Sequence, residues 1–185
     1  MEATRQLIEN SRGQVVRLKD IADLSGVSRQ AIYLHFDSRV GLMVATVQHI
    51  DEVAGFGEKT QHVRDEADSL VALGLFIDFW ADYIPTIYGV AKQLLIMRET
   101  DEGAAAAWND RMAGLRNGPC RYLIERLKQD GRLDPEWNIE AAIDVLWTLI
   151  SVQNWESLVI ARGWTKQQYA TRLKRMIERT LIIKS

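Results

Sequence analysis

Between Lys19 and Leu42 the apolar positions form two short clusters with a single glycine between them. Ile21, Ala22 and Leu24 lie close enough on a short helix to make one apolar face, and Lys19, Asp20 and Asp23 stay outside it. Gly26 ends that helix, because glycine alone takes the left-handed backbone conformation without steric cost. Val27 is the one apolar residue of the turn and packs between the helices. Ser28 then offers an oxygen to the free N–H groups of a second helix, which begins at Arg29. Its inward residues are Ile32 and Phe36, four apart, so Arg29, Gln30, Tyr33 and Leu34 occupy the remaining circumference with His35 near the end. Asp37 or Ser38 caps a further helix that carries Arg39 in its first turn. Guanidinium, amide, phenol and imidazole groups on one outer face hydrogen-bond base edges and phosphates, so the pattern reads as a DNA-binding helix-turn-helix.

Downstream the apolar spacing stays helical. A connecting helix is predicted over about 38–54, ending at the Gly55-Phe56-Gly57 break. The segment Val63 to Tyr83 is apolar nearly all round, with Leu70, Leu73, Ile77, Trp80 and Ile84 in one stripe and Val71, Leu75, Phe79 and Tyr83 in another. Such a helix belongs inside a bundle. Asp78 and Asp82 form its only polar stripe and are read as solvated. Pro85 is expected to start the next helix, which ends near Arg98 to Glu102. Another contains Trp108, Met112 and Leu115, is kinked at Asn117-Gly118-Pro119, and resumes through Leu123, Ile124 and Leu127 to Gly131. One helix is expected over Asn138 to Ala161, and Thr165 with Gln168 forms a capping box for the last.

Composition narrows the class. The chain has 185 residues, three prolines and little alternating apolar pattern, which favours an all-α protein of about nine helices. One cysteine, Cys120, excludes an intramolecular disulfide framework, and no histidine lies near it to support a nucleophilic or redox role. No signal-peptide pattern opens the chain, and the apolar runs are read as too short to span a bilayer, so a cytoplasmic protein with no membrane partner is expected. The net charge is −2, with six Lys and Arg against five Asp and Glu over residues 1–50. DNA binding must then rest on a local basic face.

The run from Ile21 to Leu42 resembles the DNA-binding domain of TetR-type (tetracycline repressor) transcriptional regulators. The matching elements are Ile21-Ala22, Ser25-Gly26-Val27-Ser28, Ile32-Tyr33-Leu34-His35-Phe36, Ser38-Arg39 and Leu42. Arg17 departs from the family's capping threonine and Arg39 from its lysine, and the chain ahead of Leu7-Ile8 leaves little room for a basic arm. The resemblance implies a helix-turn-helix domain over 1–48 followed by a helical ligand-binding and dimerisation domain over 49–185. It also implies phosphate contacts from Tyr33, His35 and Arg39, joined by Arg17. Arg29 and Gln30 open the recognition helix and are matched to base edges, Ala31 and Leu34 to its groove-facing side, Ser28 to the turn, and Lys19 to a base or phosphate at the groove rim.

The resemblance further implies an effector pocket among the middle helices. Trp80, Tyr83, Met97, Trp108, Met112 and Trp147 are its candidate walls, suited to a small hydrophobic or aromatic molecule, and Asn154 is a candidate polar contact. Each is equally readable as core. The last two helices carry Ile143, Ile150, Leu158, Tyr169, Leu173, Met176 and Thr180 at helical spacing, which a second copy would cover in an intersubunit four-helix bundle. Glu58, His62 and Glu66 have metal-ligand spacing on one helix face, but no second ligand cluster accompanies them. No phosphate loop, paired carboxylate or Ser-His-Asp site is present, and no cofactor or metal is expected. The chain therefore reads as a dimeric, ligand-responsive DNA-binding regulator that is not an enzyme, a repressor released by its effector from a palindromic operator. The alternative is a helical carrier or enzyme whose first helices only look like a DNA reader.

Overall fold

The computed structural model describes residues 1–10 and 16–183. Among these the protein is all-α, with α1 (Glu2–Asn10), α2 (Leu18–Ser25), α3 (Arg29–Phe36), α4 (Arg39–Val53), α5 (Phe56–Asp65), α6 (Ser69–Met97), α7 (Glu102–Leu115), α8 (Arg121–Gln129), α9 (Ile139–Leu149), α10 (Val152–Trp155) and α11 (Lys166–Leu181). A π-helical turn, Arg116–Cys120, joins α7 to α8, and a second, Glu156–Ile160, follows α10. Counting α7–α8 and α9–α10 once each leaves nine rods. The chain divides into two compact units, Met1–Phe56 with Pro85–Arg111, and Gly57–Ile84 with Met112–Ser185.

In the first unit α1 to α4 surround a core of Ile8, Val16, Leu18, Ile21, Ala22, Ile32, Leu42, Met43, Val47 and Ile50, all nearly removed from solvent. Each large aliphatic side chain buried this way contributes about 1.5–3 kcal/mol before entropy is counted. The C-terminal half of α6 adds Ile87, Val90, Ala91 and Leu94, and α7 adds Ala104 and Trp108. Arg111 on α7 grips Asp51 on α4 with two parallel bonds of 2.7 and 2.9 Å.

The second unit is built on Phe76, Ile77 and Trp80 of α6, Leu123, Ile124 and Leu127 of α8, Ile143 and Leu146 of α9, and Tyr169, Leu173, Ile177 and Leu181 of α11. Asp78 and Asp82 are not merely solvated, since Lys174 and Lys166 of α11 bind them. The chain end is held by an isolated antiparallel bridge between Leu133 and Ile182, and by the Trp137 indole, which donates to the Thr180 carbonyl at 2.6 Å.

One predicted break is absent and one predicted helix is interrupted. Pro85 does not start a helix; it lies inside α6, which runs unbroken for 29 residues. Its ring is exposed, where the lost backbone bond is least costly, and the apolar residues on either side supply the packing that outweighs it. That continuity also makes α6 long and apolar enough to cross a membrane by length and composition, although 56% of its most apolar window is buried inside the protein. The helix expected over Asn138–Ala161 is instead interrupted at Ile150, because Ser151 turns extended and accepts the Asn154 N–H to open α10.

Candidate functional site

The helix-turn-helix forms as its local signals dictate. Gly26 sits at φ 68°, ψ 22°, and the Val27 N–H closes the end of α2 on the Ala22 carbonyl at 3.2 Å. Ser28 is extended and its Oγ accepts the Ala31 N–H at 3.0 Å, opening α3. Ser38, not Asp37, caps α4, its Oγ accepting the Gly41 N–H at 2.9 Å. At Gly41 the helices come so close that a Cβ would stand 2.1 Å from the Phe36 carbonyl oxygen, so only glycine lets α4 start there. Leu24 and Val27, expected to pack inward, are about half exposed.

On α3 only Ile32 is buried and Phe36 half-buried. Arg29, Gln30, Ala31, Tyr33, Leu34 and His35 are all exposed, with Leu34 at 79% and Tyr33 at 45%. Two of these exposed side chains are large and apolar, lying beside polar ones on a surface that the unit's own packing does not use. His35 stands edge-on to Phe36, with ring centroids 4.6 Å apart, which fixes the imidazole at the helix end. The helix contains no acidic residue, so nothing on it opposes its positive N-terminal dipole. Arg17 occupies the cap position of α2 without a side-chain capping bond, and both it and Lys19 are exposed. Arg17, Lys19, Ser28 and the outer residues of α3 thus lie at the solvent surface of one small helical cluster.

Arg39 is the correction to that set. Its Nη2 donates to the Val16 carbonyl at 2.7 Å and to Gln93 Oε1 at 3.3 Å, and its Nε is buried with no hydrogen-bond partner among the described residues. A guanidinium turned inward onto two acceptors does not reach a phosphate, so Arg39 braces the unit internally.

The aromatic residues expected to wall a pocket fall into two groups. In the first unit Trp108 is buried, with the Arg98 guanidinium 5.9 Å from its ring centre, and Met97 is half-buried. In the second unit Trp80 and Tyr83 lie with ring centres 5.7 Å apart, and Met112 and Trp147 are half-buried. Asn154 is not a free amide; its Nδ2 donates to the Thr148 and Leu149 carbonyls at 2.8 and 3.4 Å, satisfying the end of α9. Sequence reasoning missed Trp155, one residue further on. Trp155 packs edge-to-face on Tyr169, ring centres 4.9 Å apart.

Four residues assigned to a dimer seam are covered by their own chain. Ile143, Ile150, Tyr169 and Leu173 are all at least 99% buried in the single chain, and the apolar stripe of α11 packs on α9. Leu158 is half-buried, and Met176 and Thr180 are exposed. The outward stripe of α11 is Arg172, Arg175, Met176, Arg179 and Thr180. Among the described residues no group of three acidic, histidine or cysteine side chains is arranged to hold a metal ion.

Residues 1–46 match the family model described as bacterial regulatory proteins, tetR family. Over 104 residues the chain is 28% identical to the nucleoid occlusion factor SlmA of Alteromonas mediterranea, an alignment covering 55% of this chain and 53% of that one; the chain spans about half the length of the curated relative it matches. A protein from Saccharomonospora viridis, solved in complex with choline, superposes with a TM-score of 0.74 at 17% identity, covering 100% of both chains. The transcriptional regulator FadR of Bacillus subtilis, solved with stearoyl-CoA, superposes with a TM-score of 0.72 at 17% identity, covering 95% of this chain and 94% of that one.

Proposed function

We propose that this chain, whose residues 1–46 match a tetR-family model and whose fold is similar to that of solved TetR-type regulators, is a transcriptional regulator that binds a partly palindromic operator as a homodimer and responds to a small hydrophobic effector. The observation that carries this reading is the outer face of α3. Six of its eight residues are exposed while caps and a glycine turn hold the helix rigidly in place. A helix packed only through Ile32 and Phe36 has its polar side free to enter a major groove.

Within that reading Arg29 and Gln30, at the N-terminal end of α3, meet base edges, since Arg pairs bidentately with guanine and Gln with adenine. Ala31 and Leu34 supply apolar contact to thymine methyls. Tyr33, His35, Ser28, Arg17 and Lys19 meet phosphates and the groove rim, fixing register without reading sequence. Arg39 supports them from behind. A protein that reads chromosomal DNA works in the cytoplasm, and no catalytic step is assigned to it.

The effector belongs to the aromatic body. Fold relatives solved with choline and with stearoyl-CoA carry chemically unlike ligands, so the fold itself does not choose the effector. Repression relieved by effector requires only that the ligand bind the DNA-competent and DNA-incompetent conformations unequally. The test is a gel mobility shift of the full chain on DNA from upstream of its own gene. Retention at 100–200 mM salt that survives excess nonspecific DNA supports the reading; binding no tighter than to unrelated duplex overturns it.

A further inference from the structure

Arg17 stands at the cap position of α2 but does not cap it. A serine, threonine or aspartate there would fix the helix start through its own side-chain oxygen, whereas a guanidinium has no acceptor to offer. The start is nonetheless well formed. Arg17 is extended, at φ −83° and ψ 144°, and its carbonyl accepts the Asp20 N–H at 3.0 Å and the Ile21 N–H at 3.3 Å.

What holds it is the residue before. Val16 is 6% exposed, and side chains distant in sequence bind both of its backbone polar groups: its N–H donates to Gln93 Oε1 at 3.2 Å, and its carbonyl accepts Arg39 Nη2 at 2.7 Å. The same Nη2 donates to Gln93 Oε1 at 3.3 Å, which closes a triangle of Val16, Arg39 and Gln93. Both groups facing the Gln93 oxygen are donors, so only an acceptor serves there. Gln93 projects from a face of α6 that is itself seated in the first unit. One turn earlier on that face a Cβ at Gly89 would stand 2.4 Å from Ile8 Cγ2, so α1 lies directly against the α6 backbone.

We propose that Gln93 is a positioning residue for DNA contact: with Arg39 it replaces the missing cap of α2 by clamping Val16, and so holds Arg17 where its guanidinium meets a phosphate. Arg17 and Arg39, the two departures from the family pattern, are then one device. The first gives up a cap oxygen for a positive charge, and the second restores through Val16 the constraint that the cap would have supplied. The phosphate contact rests on the regulator reading above; the clamp on α2 does not.

The test reads two quantities on the full chain. Amide hydrogen exchange, followed by 15N–1H NMR without DNA, should quicken at Asp20 and Ile21 in Gln93→Leu and stay near wild type in Gln93→Glu, which keeps the acceptor. Arg17→Thr returns a cap oxygen to α2 and should slow those two amides at least about fivefold more in the Gln93→Leu background than in the wild type. Arg39→Met, which opens the triangle from its other side, serves if Gln93→Leu does not fold. Equal slowing in both backgrounds makes Gln93 an ordinary core contact and overturns the clamp. The second quantity is the salt dependence of binding to an unrelated duplex of about 20 bp between about 50 and 200 mM salt. Arg17→Ala and Gln93→Leu should each flatten it by about one unit, the pair together no further than Arg17→Ala alone, and Gln93→Glu should restore it. An unchanged slope in Gln93→Leu, or losses that add, overturns the positioning role. A wild-type chain that shows the exchange coupling but binds no DNA overturns the phosphate contact and the regulator reading while the clamp stands; DNA binding without the coupling keeps the regulator and removes Gln93 from it.

Discussion

Arg39 on α4 and Gln93 on α6 are bound side chain to side chain, guanidinium Nη2 to amide Oε1 at 3.3 Å. Gln93 is 1% exposed, and the same oxygen accepts the Val16 N–H at 3.2 Å, while Arg39 also donates to the Val16 carbonyl. One amide thus fastens the entry to α2 and the first turn of α4 onto α6. Gln93→Leu leaves a buried N–H and a half-buried guanidinium short of an acceptor, and a loss of about 1–3 kcal/mol in denaturant unfolding is expected. Gln93→Glu keeps the acceptor beside Arg39 and should lose less. Equal stability of the leucine variant would show that the contact holds nothing together.

Readout and positioning separate on α3. Arg29→Ala should cost about 1–3 kcal/mol of operator affinity and relax preference at one base pair. Tyr33→Phe should weaken binding on every sequence and flatten the salt dependence by about one unit if its hydroxyl meets a phosphate. Competition titrations over single-base operator variants at several salt concentrations distinguish the two. If Arg29→Ala weakens all sequences alike, Arg29 moves to the phosphate class.

The reader was legible because its signals are local. Gly26 needs a left-handed backbone, Ser28 and Ser38 offer cap oxygens, and the Ile32–Phe36 spacing sets the inward side whatever the rest of the chain does. The Thr165–Gln168 capping box held for the same reason. Arg39 escaped because its acceptors, Val16 and Gln93, are 23 and 54 residues away. Pro85 misled because a start signal for short helices is overridden where both flanks are buried. The periodicity that offers Tyr169 to a seam between copies shows that a face is apolar without showing what covers it, and the chain's own packing covers this one. Trp155 carried no signal beyond its own aromaticity.

Cys120 gives a pH prediction. Burial pushes its thiol from 9.0 up to about 12, with Arg116 offsetting only a part. The folded chain therefore holds the proton more tightly than the unfolded one, so this contribution to stability is intact below pH 9 and is lost as pH rises from 9 toward 12. Cys120→Ala should flatten the alkaline fall in midpoint denaturant concentration, although Tyr169 contributes to the same limb from higher pH. In native buffer at pH 8 a thiol reagent should modify Cys120 only as fast as the second unit opens. Rapid modification would place the thiol at the surface.

Dimerisation can be separated from folding by two residues of α11. Leu173 is 1% exposed and belongs to the second unit's core, so Leu173→Ala should cost about 2–5 kcal/mol of stability. Met176, on the outward stripe, is 38% exposed and lies between Arg172, Arg175 and Arg179. A fourth positive charge there costs the free chain little, but it adds like-charge repulsion to any seam in which this stripe meets its own copy. Met176→Arg is therefore expected to keep the wild-type thermal midpoint to within a few degrees, sediment as a monomer, and lose affinity for an operator of two half-sites. The same variant should keep weak binding to a single half-site, since α3 is untouched. A Met176→Arg protein that sediments as a dimer would move the interface off this stripe. A wild-type protein that sediments as a monomer while binding one unrepeated site would remove the dimer from the proposed function.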